Sequence, residues 1–498
     1  MHYVYVIALL AICSSATAEA AQILSLPGLR EKPEFRQYSG FLNTTVGGRI
    51  FYWLVESQRC PSSDPLVIWM NGGPGCSSLG GFFNELGPFF VDDNGETLSL
   101  NAFAWNQKAN LLFLESPVLT GFSHVAGERR FEINDETTAQ GNYAALKSFY
   151  DLFPRFKANE LYLTGESYAG IYVPMFAAEI LNGLHDFPLN LKGYAVGNGL
   201  TNTDLNADSV LEFLYYHGFV DEGLWTTLQS QCCSAGCADE CEFHKAESAY
   251  CKTQIRELHA LAWKSRLNLY DLNRECYTDE TADEVSRGRA AAATTLSMKS
   301  NRALKSTVVK RLRSSATKDV GHTTLNSEVD SDTLVVASPR CLDGAPLALY
   351  LNQPAVRRAL SVPDEVGAWL ECNPSFEREG DGEEEMGFST GVYKSQTRDV
   401  TAYLRQALDA GLRVMLYYGE TDLACNFLHA QRFLQRLHLP VKHSKAPWYV
   451  DKQIAGMVTA YKGLDFVIIK GTGHMAPQWK QPEALHMINT FLENKPLA

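Results

Sequence analysis

The sequence is short of positive charge. Its 498 residues contain 57 Asp and Glu against 44 Lys and Arg, so the formal net charge is −13. It also lacks a stripe of Lys and Arg with interleaved aromatic residues. Both absences argue against nucleic acid as a partner, because most of such a surface would repel a phosphate backbone.

Long apolar runs are absent after the N-terminus. The apolar stretch from Tyr3 to Ile12 is too short to span a membrane. Small residues follow it, with candidate cleavage sites that end at Ala18 and Ala20. Residues 1–20 therefore predict a signal peptide, and the mature protein is expected in the secretory pathway, without a membrane span. In that compartment the sequon at Asn43 predicts glycosylation.

Histidines with metal-ligand spacing are scarce, whereas cysteines are not. Twelve cysteines are present, and Cys13 leaves with the predicted signal peptide, so at least one of the remaining eleven has no intramolecular partner. Five of them crowd together: Cys232, Cys233, Cys237, Cys241 and Cys251. A zinc cluster is the alternative there, but the oxidising compartment favours disulfides. No metal or other cofactor is predicted.

Apolar strands and amphipathic helices alternate along most of the chain. Strands are predicted at 65–70, 110–114, 161–164, 190–196, 412–418 and 465–469, and one of the intervening helices begins with Asp135 as its predicted cap. Near-continuous apolar strands between helices predict one α/β domain with a mostly parallel sheet covered on both faces. We divide the chain into the signal peptide, a core from 21 to 200, an insertion from 201 to 341, and the rest of the core from 342 to 498.

The insertion differs from the core in composition. Residues 211–231 are helical in pattern and rich in aromatics, and the cysteine cluster follows. Residues 285–318 contain no acidic residue but nine basic ones, and Ser, Thr and Ala make up much of the remainder. Such a segment is predicted to be disordered or cleavable, and we expect excision of about 282–335.

Ser167 lies between two glycines in the stretch LYLTGESYAGIYVP, Leu161 to Pro174. The residues before it predict a strand and those after it a helix, which is the setting of a nucleophile on a sharp turn. The pattern is common by chance, and its last position is Ala169 rather than Gly, so an ordinary turn is the alternative. A base and an orienting acid later in the chain would decide between the two.

Reactive side chains in an open α/β sheet follow the carboxyl ends of strands. Asp422 follows the predicted strand that ends at Tyr418, and His474 follows the one that ends at Ile469. The order Ser, Asp, His is that of the α/β-hydrolases. Glu420 is an alternative to Asp422. Weaker alternative bases, in or near helices or in poorly placed loops, are His124, His217, His429 and His443.

A glycine-rich turn, Asn71 to Gly75, follows the strand at 65–70. An oxyanion needs two backbone N–H donors directed at one point. Gly73 allows the backbone to approach closely, and Tyr168, next to Ser167, supplies the second donor. A phosphate-binding loop is the alternative, but the turn lacks a Gly-Lys-Ser/Thr ending.

Two segments resemble the signatures of the serine carboxypeptidases: WMNGGPGCSS, Trp69 to Ser78, and GESYAG, Gly165 to Gly170. The resemblance runs from about Leu26 to the C-terminus and fails only across the basic segment; lysosomal members are the most similar. It implies an α/β-hydrolase fold with an inserted helical cap, and a serine-type carboxypeptidase that releases single C-terminal residues from peptides at acidic pH through an acyl-enzyme. Alternatives are an esterase or acyltransferase with the same triad, or a protective partner of other lysosomal hydrolases.

The resemblance also implies roles for the matched residues. It implies Ser167 as nucleophile, His474 as base and Asp422 as its orienter, with an oxyanion hole at the N–H groups of Gly73 and Tyr168. The substrate carboxylate is then bound by Asn71, the N–H of Gly72, Glu85 and Glu166.

Further implications of the resemblance concern assembly and maturation. It implies the disulfides Cys76–Cys372 and Cys276–Cys341, a homodimer, and a precursor whose active site stays blocked until a segment of the insertion is cut. One stretch departs from the family: Val118 to His124 keeps Gly-Phe-Ser but has bulkier residues before it and His where Tyr is usual. This departure bears on the preference for substrate side chains.

Overall fold

A computed structural model of the chain describes residues 20–45, 47–125, 133–233, 241–276, 341–376 and 393–498. All of the predicted signal peptide except Ala20, and all of the predicted excised segment, lie outside these residues. Within them, no helix combines the length and the apolar character needed to cross a membrane.

The strands of the described residues mostly belong to one large sheet. Their bounds are β1 Gln37–Asn43, β2 Gly48–Val55, β3 Leu66–Met70, β4 Phe89–Val91, β5 Leu98–Leu100, β6 Asn110–Leu114, β7 His124–Val125, β8 Ile133–Asn134, β9 Leu161–Glu166, β10 Leu191–Gly197, β11 Tyr393–Lys394, β12 Arg413–Gly419, β13 Val441–Val450, β14 Gln453–Tyr461 and β15 Leu464–Ile469. Eleven strands form the large sheet, in the order β1-β2-β6-β3-β9-β10-β12-β15-β14-β13, with β7 beside β2.

The centre of the sheet is parallel and its edges are antiparallel. All pairs from β6 through β3, β9, β10 and β12 to β15 are parallel. Antiparallel strands extend both edges, with β1 and β2 on one side and β14 and β13 on the other. The predicted mostly parallel α/β sheet is confirmed, and it brings the carboxyl ends of six strands to one edge.

The α-helices of the described residues are α1 Ser78–Gly81, α2 Asp135–Leu152, α3 Ala169–Gly183, α4 Thr203–Tyr216, α5 Glu222–Thr227, α6 Ala249–Lys264, α7 Ala345–Leu351, α8 Pro354–Ala359, α9 Thr401–Asp409, α10 Phe427–Leu437, α11 Ala476–Trp479 and α12 Gln481–Leu492. Asn134 caps α2 through a reciprocal pair of hydrogen bonds with Thr137. The prediction that Asp135 is the cap is therefore wrong by one position, because Asn134 offers an equally good acceptor.

Side-chain alternation explains why both faces of the sheet are covered. Leu66, Ile68 and Met70 of β3 pack in one apolar cluster with α2 and α3. Val67 and Trp69 of the same strand pack in a second cluster, on the opposite face, with α7 and α12. Successive side chains of a strand point to opposite faces, so a strand buried on both sides must be apolar throughout.

Helices α4, α5 and α6 form a third apolar cluster. It is built from one face of each helix, with Leu214, Trp225 and Leu258 among its buried members. The disulfide Cys232–Cys251 joins the helical turn Leu228–Cys232, which follows α5, to α6. The cluster also includes Leu423, which follows β12, so this helical part of the insertion packs its apolar interior against the core.

Candidate active site

Ser167 occupies the sharp turn between β9 and α3. Its φ of 63° lies in the left-handed region, and its N–H donates to the Gly197 carbonyl at 3.1 Å. A Cβ at Gly165 would lie 2.4 Å from the Met70 carbonyl oxygen, and one at Gly170 would lie 2.4 Å from that of Leu200. Both glycines are therefore required by close backbone contacts, and the strained residue between them is the serine.

Asp422 and His474 form a buried pair at the same edge of the sheet. Asp422 follows β12, His474 follows β15, and His474 Nδ1 lies 2.8 Å from Asp422 Oδ2. The Ala424 N–H donates to Asp422 Oδ1 at 2.9 Å, and the His474 N–H donates to the Tyr270 carbonyl at 2.7 Å. These bonds orient the imidazole so that Nε2 carries the exchangeable lone pair or proton.

Ser167 and His474 are brought to one edge of the sheet but are not hydrogen-bonded to each other within the described part of the chain. In enzymes without substrate, this bond is often long and tightens only in the complex. Ser167 is half-buried, whereas Asp422 is fully buried and His474 is 3% exposed. The hydroxyl is thus the member of the three that faces the outside.

The alternative acids and bases are engaged elsewhere. Glu420 is half-buried, and its Oε1 accepts from the Gly471 N–H at 2.7 Å, away from His474. His429 is buried, and burial lowers its pKa to about 4; its Nδ1 lies 2.5 Å from the Asn426 carbonyl. His124 and His217 bond to backbone carbonyls through Nδ1, and His443 lies on the exposed strand β13.

A further partner of Asp422 was missed from the sequence. Asn198 donates to Asp422 Oδ2 through Nδ2 at 2.8 Å and accepts from the Gly419 N–H through Oδ1 at 3.0 Å. It follows β10, which lies between β9 and β12 in the sheet. Applying the strand-end rule to β10 as well would have identified it.

The glycine-rich turn packs directly against Ser167 and Tyr168. A Cβ at Gly72 would lie 2.4 Å from the Tyr168 nitrogen and 2.8 Å from Ser167 Cβ. Gly73 has a φ of 110°, which L side chains rarely adopt. The backbone of this turn thus comes close to the serine, as an oxyanion hole made with the Tyr168 N–H requires.

Glu85 and Glu166 form a buried carboxyl pair beside this turn, joined through Asn71. Asn71 Oδ1 accepts from Trp69 Nε1 at 2.8 Å and from the Gly81 N–H at 3.1 Å. This orients Asn71 Nδ2 towards Glu166 Oε1 at 2.9 Å and Glu85 Oε1 at 3.4 Å. The sequence-predicted carboxylate-binding residues are therefore brought together.

The electrostatics of this pair favour retention of a proton. Burial raises the pKa of Glu85 and Glu166, and the negative charge of Glu85 raises that of Glu166 further. Neither Glu85 Oε2 nor Glu166 Oε2 receives a hydrogen bond from a described residue outside the pair. The two carboxyl groups interact with each other, so one shared proton would supply that donor.

The sequence resemblance also named two disulfides, and the structure joins both of those cysteine pairs. The disulfides of the described residues are Cys76–Cys372, Cys232–Cys251, Cys233–Cys241 and Cys276–Cys341. Four of the five crowded cysteines are thus paired with each other, and Cys237 lies outside the described residues. Cys60 and Cys425 carry no disulfide within the described ranges.

A buried carboxylate, that of Glu115, binds residues 118–124, the stretch that departs from the family pattern. Glu115 accepts from the Phe122 N–H at 2.6 Å and from Trp369 Nε1 at 2.7 Å, and Ser77 donates to it as well. Burial raises the pKa of Glu115 to about 7. This acid binds both the stretch and Ser77, the residue that caps α1 just after the glycine-rich turn, a role that local sequence pattern did not indicate.

A serine on a strained strand-to-helix turn, with an Asp–His pair at the ends of later strands of a mostly parallel sheet, defines a serine hydrolase of the α/β-hydrolase type. The chain matches the serine carboxypeptidase family over residues 27–494. It therefore belongs to that family, and the protein is a serine-type carboxypeptidase.

Named relatives agree with the predicted resemblance to lysosomal members. The chain is 36% identical over 489 residues to the lysosomal protective protein of Mus musculus, covering 97% of this chain and 96% of that one. It is 33% identical over 492 residues to serine carboxypeptidase ctsa-4.1 of Caenorhabditis elegans, covering 97% and 95%. Among solved structures, Kex1(delta)p, a prohormone-processing carboxypeptidase from Saccharomyces cerevisiae, shares the fold with a TM-score of 0.65 at 20% identity over 94% of each chain.

Proposed function

We propose that this carboxypeptidase releases single C-terminal residues through an acyl-enzyme on Ser167. The observation that carries the proposal is the 2.8 Å contact between His474 and Asp422 at the same sheet edge as the strained serine. His474 Nε2 removes the Ser167 proton as Oγ attacks the scissile carbonyl, and the N–H groups of Gly73 and Tyr168 receive the oxyanion. His474 then protonates the leaving amine, and water reverses the sequence to release the peptide acid.

The buried carboxyl pair explains why a free C-terminus is selected. When the pair holds a proton, it can donate to the substrate carboxylate alongside Asn71 and the Gly72 N–H. When Glu85 and Glu166 both ionise, two negative charges face the incoming anion. Because burial raises both pKa values, the pair keeps its proton at a higher pH than an exposed pair would, and activity at acidic pH follows.

A comparison of matched peptides tests this proposal. One acylated dipeptide is offered with a free C-terminal carboxylate and with an amidated C-terminus, at acidic pH. A carboxypeptidase hydrolyses the first much faster, whereas an esterase or acyltransferase with the same triad does not discriminate in this way. Labelling with a serine-directed reagent, lost in Ser167→Ala, separates an active enzyme from a protein that acts only as a protective partner.

We further propose that residues 201–341 form a cap over the site. Support comes from the apolar cluster of α4, α5 and α6, which packs on Leu423 next to Asp422, and from the Tyr270 carbonyl, which accepts from the His474 N–H. The Leu272 N–H also donates to the Thr421 carbonyl, one residue before Asp422. The cap segment therefore contacts both the base and the loop of its orienter.

Localisation and partners are proposed from the same resemblance. An N-terminal signal and the name of the murine relative support the secretory pathway and the lysosome. Asn43 is exposed at the end of β1, as a glycosylation acceptor must be. A homodimer and an association with other lysosomal hydrolases are expected; size-exclusion chromatography with light scattering tests the dimer.

A further inference from the structure

Asp135 is a buried carboxylate outside the proposed triad and outside the carboxyl pair. It is 2% exposed and is the first residue of α2. Its Oδ1 accepts from the hydroxyls of Tyr168 at 2.8 Å and Tyr393 at 2.7 Å. Its Oδ2 accepts from the N–H groups of Gln396 and Thr397, each at 2.7 Å. Four hydrogen-bond donors and the N-terminus of α2 stabilise its negative charge and hold the carboxylate in one position.

One of those four donors belongs to the residue beside the nucleophile. Tyr168 follows Ser167, and its backbone nitrogen packs against Gly72, where an added Cβ would lie only 2.4 Å from it. Its ring is 1% exposed, and its hydroxyl lies 2.8 Å from Ser395 as well as from Asp135. Only two rotatable bonds separate a tyrosine ring from its backbone, so a ring fixed at its hydroxyl restrains the backbone N–H.

We propose that Asp135 is a positioning residue for the oxyanion hole, and that it acts through the Tyr168 side chain. The strained φ of Ser167 persists only because surrounding contacts hold the turn, among them the bonds of the Ser167 N–H to the Gly197 carbonyl and of the Leu200 N–H to the Ser167 carbonyl. The hydrogen bond of the ring hydroxyl to Asp135 adds a restraint on Tyr168 that comes from α2, outside the turn. This inference rests on the proposed function, because it assumes that the Tyr168 N–H binds the oxyanion.

Tyr393 provides a matched control. It donates to the same oxygen of Asp135 at nearly the same distance, it is fully buried, and its ring lies 6.0 Å from that of Tyr168. It is far from Ser167 in the chain and supplies no proposed oxyanion donor. Tyr168→Phe and Tyr393→Phe each remove one hydroxyl from Asp135 Oδ1, so a merely structural role for Asp135 predicts similar effects.

The experiment measures kcat, KM and Tm for both variants with a peptide that has a free C-terminus. Tyr168→Phe should lower kcat by about 10- to 100-fold with little change in KM, because a displaced oxyanion donor costs transition-state binding only. Tyr393→Phe should leave kcat within about twofold of wild type, and both should lower Tm to a similar extent. Asp135→Asn should lower kcat at least as much as Tyr168→Phe; if it does not fold, the two isosteric tyrosine variants still decide.

Equal kcat losses in the two tyrosine variants, no loss in either, or a loss confined to KM would overturn the inference. Ser167→Ala is measured alongside them. An active Ser167→Ala protein would refute the proposed function itself. An inactive Ser167→Ala protein together with an unchanged Tyr168→Phe protein would refute only the role of Asp135.

Discussion

The side-chain amide of Asn71 donates to Glu166 at 2.9 Å, and both side chains are buried. Glu85 shares the same donor at 3.4 Å. Two carboxyl groups on one amide cannot both ionise in a buried site without strong repulsion, so the arrangement only suits a pair that keeps a proton. We therefore expect recognition of the substrate, and the pH dependence of that recognition, to depend on the same three side chains.

The first prediction concerns KM as a function of pH. For peptides with a free C-terminus, KM should rise as the pH rises and the pair ionises, because two carboxylates then face the substrate anion. For amidated or ester substrates, the rise should be smaller, since these lack the charge. Steady-state kinetics from acid to neutral pH measure both series.

Glu166→Gln is the informative variant for this prediction. A glutamine donates to the substrate carboxylate at every pH, so KM for free peptides should become nearly independent of pH. A flat KM profile for the wild-type enzyme on free peptides, from acid to neutral, would refute the role of the pair.

The second prediction concerns the triad. Ser167→Ala and His474→Ala should each reduce kcat by about 10⁴- to 10⁶-fold, because removal of a triad member removes most of the chemical catalysis. Folding should persist, since Ser167 is bonded through its backbone N–H rather than its hydroxyl. Exposed His443, an alternative base in the sequence, is the control: His443→Ala should retain full activity. Near wild-type turnover by purified Ser167→Ala would disprove the assignment.

A feature could be predicted from the sequence when neighbouring residues indicate it, and not when it depends on residues far apart in the chain. Ser167, Asp422 and His474 each follow a strand, so a rule about strand ends finds them without long-range information. The contacts of Asp135 could not be predicted, because its partners Gln396 and Thr397 are 261 and 262 positions away. The helix cap was misplaced because Asn134 and Asp135 have the same cap preference.

Edge strand β13 and two of the disulfides also could not be predicted from the sequence. Strand β13 is exposed along most of its length and lacks the apolar run that marked the central strands. The pairs Cys232–Cys251 and Cys233–Cys241 were left open, since adjacent cysteines satisfy spacing rules in either order. In both cases, contacts made only in three dimensions decide the outcome.

The third prediction concerns stability in acid. His259 on α6 is buried with neither ring nitrogen bonded within the described residues, and burial lowers its pKa to about 4. The unfolded chain binds a proton here below about pH 6.5 while the folded protein does not, so stability is lost as the pH falls from about 6.5 to about 4. The free energy of unfolding of His259→Leu, taken relative to that of the wild type, should be about 2 kcal/mol higher at pH 4.5 than at pH 7.

Denaturant unfolding at the two pH values measures this difference. His185→Gln is measured alongside as a control for the loss of a histidine, because the His185 side chain is exposed. A His259→Leu protein that loses as much stability in acid as the wild type would show that this histidine is not the source.

The fourth prediction concerns maturation, and it follows from the sequence between two paired cysteines. Residues 285–318 carry nine basic residues and no acidic one, with a cluster at Lys310 to Arg313 that suits trypsin-like proteases. Cys276 and Cys341 are joined by a disulfide. A cut between them should therefore leave a larger N-terminal and a smaller C-terminal chain that stay covalently linked. The family resemblance implies a precursor whose active site is blocked until this region is cut, so peptidase activity should rise after the cut.

Limited trypsin treatment of the secreted precursor measures all three consequences. Two fragments should appear on a reducing gel and a single band without reductant, and the gain in activity should follow the cleavage in time. Replacing all nine basic residues of 285–318 by Gln should slow both cleavage and activation together, while Cys341→Ser should release the fragments without reductant. Full activity in the uncut chain would end the proposal, because a segment that blocks nothing has no need to be removed.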